Sequence, residues 1–177
     1  MIKRIVNLYK RIFWSPEKYA RKIGVKIGYG CHICSRNFGS EPYLISIGNH
    51  VGIADNVHFF THSGAWVFRD KYPTLDVFGK IEIKNNAYIG SGAYILMGVT
   101  IGNNVVVGAR SVVTKSIPDN VVVAGNPAKI IGTINEFEER MIKYNVNSKT
   151  MKDKRKYLCS LPEEKFMKKT VMTYTAK

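Results

Sequence analysis

From Ile83 onward an aliphatic residue returns at every sixth position: Ile83, Ile89, Ile95, Ile101, Val107 and Val113. Four positions after each comes a second set, Ala87, Ala93, Val99, Val105, Ser111 and Ile117. Glycine directly follows Ile89, Ile101 and Val107. An earlier run, Ile47, Ile53 and Phe59, keeps the same step, with Val51 and Val57 four after its first two members. An α-helix at about 3.6 residues per turn would scatter these positions around its surface. A plain strand would repeat every second residue. A strict six is satisfied by a chain wound as a triangular prism, in which each face is one short strand and each corner a turn. One aliphatic per face points inward, and the residue four later fits beneath the corner. Three hexads close a coil of about 18 residues, and coils stack at the ~4.8 Å spacing of paired strands. Each coil then buries its apolar interior against its neighbours.

The expected fold is therefore all-β, a parallel β-helix with short N- and C-terminal α-helices. Residues 1–24 read as a basic helical segment. Residues 2–13 carry Ile2, Ile5, Val6, Tyr9 and Ile12 on one side of a helix. Ser15 and Pro16 then open a second helix as its cap and first residue. The β-helix is expected over 25–131, interrupted by an inserted loop at 60–79. Residues 132–177 read as a helical cap with a basic tail. Within them, Ile134, Phe137 and Met141 mark one helix face, suited to covering the open end of the prism. Ser160-Leu161-Pro162-Glu163-Glu164 reads as a further helix start.

The net charge of +14 is unevenly placed. Residues 1–30 hold eight Lys or Arg against the single acid Glu17, and residues 140–177 hold eleven against three. No nucleic-acid-binding motif accompanies that charge, so specific nucleic-acid recognition is not expected. Weak contact with a membrane surface stays open. No run of about 18 apolar residues occurs, and the apolar start is broken by charges. A cytoplasmic protein is expected. Cys31, Cys34 and Cys159 are an odd count, which argues against a disulfide framework. The isolated Cys31-His32-Ile33-Cys34 lacks the second pair of a zinc site, and no metal is expected.

The loop that breaks the period is the natural place for chemistry. It reads Phe60-Thr61-His62-Ser63-Gly64-Ala65-Trp66-Val67-Phe68-Arg69-Asp70. Downstream stand Val112-Val113-Thr114-Lys115-Ser116-Ile117-Pro118-Asp119-Asn120 and Ala124-Gly125-Asn126-Pro127-Ala128-Lys129. Over residues 44–131 these segments resemble the hexapeptide-repeat acyltransferases, in particular those that O-acetylate maltose, galactosides and polysaccharide sugars.

The resemblance implies a left-handed coil, acetyl-CoA as co-substrate, and a homotrimer with the donor held between neighbouring prisms. It implies His62 as general base, and Ser91, Ala109, Thr114, Lys115 and Lys129 as donor contacts. An imidazole suits removal of a hydroxyl proton as a thioester is attacked. Asp55, Asp70, Asp76 or a backbone carbonyl could orient its other nitrogen. Trp66, Phe68 and Tyr72 either wall the acceptor or pack the loop onto the prism or a neighbouring subunit. Arg110, Met97, Ser116 and Gly132 depart from the family pattern, which puts the phosphate contacts in doubt. The expected acceptor is a sugar, nucleotide sugar or glycan hydroxyl in surface-polysaccharide biosynthesis. N-acetylation of an amino sugar and acetylation of serine or a xenobiotic are the alternatives. A zinc carbonic anhydrase using His32, His58 and His62 fits the spacing poorly, and a non-catalytic scaffold would have no use for His62.

Overall fold

Inward aliphatics spaced by six place three strands in every turn of chain, and three sheets result whose coil strands all run parallel. The computed structural model describes residues 13–167. One face carries β1 (Lys26–Ile27), β3 (Ile45–Ile47), β6 (Ile81–Ile83) and β9 (Thr100–Ile101). The second carries β2 (His32–Ile33), β4 (Gly52–Ile53), β7 (Ala87–Ile89), β10 (Val105–Val107), β12 (Val121–Ala124) and β13 (Lys129–Thr133). The third carries β5 (His58–Phe59), β8 (Tyr94–Ile95) and β11 (Val112–Val113). The 18-residue coil is visible in the register, since Ile83 pairs with Ile101, Ile89 with Val107 and Ile95 with Val113. Both period-six series are buried along their whole length, from Ile83 to Val113 and from Ala87 to Ile117.

The corners explain the asparagines. His50, Asn86, Asn104 and Asn120 each take a left-handed backbone, with φ between 54° and 63°. Asparagine tolerates that region better than most side chains. Beside them runs a side-chain ladder, with Asn85 Oδ1 accepting from Asn49 N–H at 2.9 Å. Asn103 Oδ1 likewise accepts from Asn85 N–H at 3.1 Å, and Asp119 Oδ1 from Asn103 N–H at 2.8 Å. These bonds satisfy corner amides that no strand partner reaches. A Cβ on Gly102 would lie 2.3 Å from Asp119 Oδ1, so this ladder requires glycine there.

The early coils are longer. Ile27 pairs with Ile47 and Ile33 with Ile53, a step of twenty rather than eighteen. The surplus falls where a 3₁₀ turn, Pro42–Leu44, bulges from the corner. Helix α1 (Pro16–Ile23) precedes the coils, and Ser15 Oγ accepts from Lys18 N–H as the sequence pattern predicts. The basic helix expected over 2–13 lies, except for its last residue, outside the described residues.

Two expectations are corrected. The coils do not run to Ile131: β12 is the last coil strand, and β13 returns antiparallel to it. Gly125, at φ 106°, turns the chain there, and the return pairs an edge that another coil would have covered. No helix starts at Ser160 either. A helix, α3 (Lys154–Ser160), ends there instead, started by Asp153, whose side chain accepts from Lys156 N–H. Pro162, which lacks an N–H, then allows only a 3₁₀ turn at Glu163–Lys165. The helix expected at 134–145 is α2 (Ile134–Lys143). The chain divides into two compact units, with the boundary between Ile134 and Asn135. Among the described residues no helix is long and apolar enough to cross a membrane.

Candidate active site

The inserted loop leaves the prism at the end of β5 and returns before β6. Its two ends pair antiparallel, His62 opposite Phe78, with Ser63 N–H on Val77 O and Gly79 N–H on Thr61 O. Strand alternation continues into this root. Phe59 and Thr61 point inward and are buried, while His62 faces out between them and the loop. The root therefore holds His62 on hydrogen-bonded backbone rather than on the loop tip.

His62 Nδ1 lies 3.0 Å from Glu41 Oε2. The same oxygen accepts from the hydroxyl of buried Thr61 at 2.5 Å. The Phe78 ring meets the imidazole edge-on, with centroids 6.3 Å apart. The Glu41 carboxyl is held below its ordinary value of 4.5, first by the Thr61 hydroxyl and then by His62. Ionised Glu41 accepts a hydrogen bond from Nδ1–H in the tautomer that leaves the lone pair on Nε2. The imidazole is about half exposed, whereas Glu41 is only 15% exposed. A tethered carboxylate behind an accessible imidazole is the arrangement that prepares a histidine to take a proton.

Of the aspartates considered as orienting groups, Asp55 and Asp76 are engaged elsewhere. Asp55 accepts from Ser91 Oγ, and Asp76 is paired with Arg69 across the loop. Glu41 went unnoticed because it stands 21 residues before His62, on the bulged corner of an earlier coil. The hint available in the sequence was the twenty-residue step around it. The other histidines face elsewhere. His58 Nε2 is 2.9 Å from Asn56 Oδ1, and His32 Nε2 is 3.3 Å from Cys34 Sγ. Cys31 and Cys34 are free thiols, and among the described residues no group of three or more His, Cys, Asp or Glu is placed to hold a metal ion.

The donor candidates occupy two corners. Arg110 N–H bonds Ser91 O, which stacks Ala109 over Ser91 on the corner between the second and third faces. Phe60 N–H on Ile95 O and Leu96 N–H on Val113 O align Phe60, Leu96 and Thr114 in one row. Thr114 and Lys115 thus share with His62 the corner from which the loop springs. Lys129 begins β13 on the second face. Ala109, Thr114, Lys115 and Lys129 are exposed. Arg110 takes φ 56° and lines, with Asn56, Gly92, Tyr94, Val112 and Asn126, an open cavity of about 390 Å³. Ser116 has a structural partner, accepting from Thr100 N–H at 3.0 Å. Trp66 and Phe68 are 79% and 57% exposed and Tyr72 50%, so within one chain the loop aromatics do not pack onto the prism.

Comparison with known proteins gives the same assignment. The family described as bacterial transferase hexapeptide (six repeats) matches residues 80–115. Protein CapG of Staphylococcus aureus is 49% identical over 146 residues, 80% of this chain and 84% of that protein. The chain belongs to the hexapeptide-repeat acetyltransferases. The putative colanic acid biosynthesis acetyltransferase WcaF of Escherichia coli K12 is 30% identical, over 67% of this chain and 78% of that one. The structure of a galactoside acetyltransferase in complex with coenzyme A superposes with a TM-score of 0.57 at 30% identity, covering 78% of this chain and 82% of that one. This kinship makes the coil a left-handed β-helix and the protein an enzyme, an acetyltransferase.

Proposed function

We propose that this enzyme moves an acetyl group from acetyl-CoA to a hydroxyl of a sugar, in the building of a surface polysaccharide, with His62 as general base. The observation that carries the reading is the His62 Nδ1–Glu41 Oε2 contact of 3.0 Å. It is supported by likeness to a galactoside acetyltransferase bound to coenzyme A and to a colanic acid biosynthesis acetyltransferase. His62 Nε2 accepts the acceptor's O–H proton as that oxygen attacks the thioester carbonyl carbon. Glu41 stabilises the imidazolium that forms. The C–S bond breaks, and the proton passes from Nε2 to the departing sulfur, so that an acetyl ester and a free thiol result. No covalent enzyme intermediate is needed. Ser91 and Ala109 line the pantetheine path, Thr114 flanks it, and Lys115 and Lys129 offer positive charge to the donor's phosphates.

The test is thiol release from acetyl-CoA against a panel of sugars, nucleotide sugars, amino sugars and serine. Turnover is expected with a sugar hydroxyl and not with serine. An amino sugar acetylated faster than every hydroxyl acceptor would replace O-acetylation by N-acetylation.

Ser91 and Ala109 lie one corner away from His62, Thr114 and Lys115. A homotrimer resolves this, since a groove between two prisms brings one corner of each chain together. The exposed Trp66, Val67 and Phe68 supply apolar surface for such a contact. Light scattering is expected to give about three times the 20.0 kDa chain mass. Mixing a His62→Ala chain with a Ser91→Trp chain, each inactive alone, is expected to restore activity by pairing one intact half from each. A fully active monomer would end the shared-site reading and leave the acetyltransferase assignment standing.

A further inference from the structure

The charge of this chain is segregated by region. Residues 31–139 carry eight Lys or Arg against nine acids, so the surplus of +14 resides entirely in the flanks. In the C-terminal unit, the described stretch 140–167 holds Arg140, Lys143, Lys149, Lys152, Lys154, Arg155, Lys156 and Lys165 against Asp153, Glu163 and Glu164. Lys152, Lys154, Arg155 and Lys156 crowd the start of α3, all exposed. Asp153 is occupied there as the cap. Such crowding costs stability in an isolated helix and is relieved by an anionic partner.

The same unit exposes apolar side chains among these charges. Ile142 is 65% exposed, and Met141, Met151 and Phe166 are each more than a third exposed. Cations interspersed with exposed Met, Ile and Phe are the chemistry of a segment that lies on a bilayer. The charges meet lipid phosphates and the apolar tips enter the headgroup boundary. A nucleic-acid surface would use the charges and leave the apolar tips without a role.

We infer that the C-terminal unit docks the enzyme on an anionic lipid bilayer through Lys152, Lys154, Arg155 and Lys156, with Met151 and Phe166 entering the interface. This placement goes beyond the proposed chemistry and stands or falls separately from it.

The full-length protein is sedimented with vesicles of phosphatidylcholine alone and of phosphatidylcholine with 30% phosphatidylglycerol. Partition onto the anionic vesicles is expected to be at least tenfold stronger and to fall steeply between 0.05 and 0.5 M salt, roughly as counterion screening dictates. K154E/R155E/K156E is expected to lose tenfold or more of that partition. Met151→Ser with Phe166→Ser is expected to lose a smaller part that persists at high salt. Melting temperatures close to the parent's establish that both variants fold, and the salt series on the parent needs no variant at all. Equal partition onto both vesicle types overturns the inference, as does unchanged binding by the charge-reversed variant. Binding to a single-stranded oligonucleotide or to heparin, with none to anionic vesicles, overturns it in favour of a soluble polyanion.

Discussion

Replacing His62 by alanine is expected to lower kcat by about 10²–10⁴-fold while the melting temperature stays near the parent value, because the proposed general base is lost and no core contact is. His62 is half exposed, its backbone is held by the loop root, and its side-chain partners are Glu41 and Phe78. Retention of more than half of the parental kcat with the true acceptor would remove His62 from the mechanism. Glu41→Gln is the companion measurement. An amide oxygen still accepts from Nδ1–H but no longer offsets the imidazolium charge. The expected result is a kcat lowered about tenfold with KM little changed, since the charge matters only as the proton moves. The split between kcat and KM, with a melting temperature near the parent's, separates this role from a structural one. Folded Glu41 titrates below 4.5. Its contribution is therefore complete above that value and is lost as pH falls through the lower folded one.

Ile95→Asp is expected to unfold the chain or drive it into aggregates. Ile95 has no exposed surface and sits in register between Phe59 on one coil and Val113 on the next. Removing its burial forfeits about 1.5–3 kcal/mol. An unpaired carboxyl in its place adds several more. Together these rival the ~5–15 kcal/mol that holds a domain of this size together. Solenoid coils contact only their neighbours, so a broken coil also exposes the strand edges on either side of it. Ile95→Val, which removes one methylene, is expected to cost about 0.5–1.5 kcal/mol and stay soluble. Thermal unfolding of the two variants side by side checks the claim. A soluble Ile95→Asp protein with an unchanged midpoint would mean that the inward register is wrong.

The prism could be read along the chain because burial at one position depends on that position's own side chain. Ile83, Ile89, Ile95, Ile101, Val107 and Val113 must all leave water, and a spacing of six allows that in few ways. The cap at Ser15 and the loop at 60–79 were legible for the same local reason: a hydroxyl before proline, and a break in a period. The partner of His62 was not. Asp70 and Asp76 are nearer in sequence, yet Asp76 is taken by Arg69, and Glu41 arrives from another coil. Which residues meet across coils depends on how many residues each corner consumes. The bulge at Pro42–Leu44 changes that number by two. The terminal return of β13 depended likewise on a partner strand supplied from outside the local pattern. The sequence by itself determined the coil, its inward face and the histidine on the loop. Only the tertiary structure decided which carboxylate stands behind that histidine, because stacking register sums the lengths of all the corners between them.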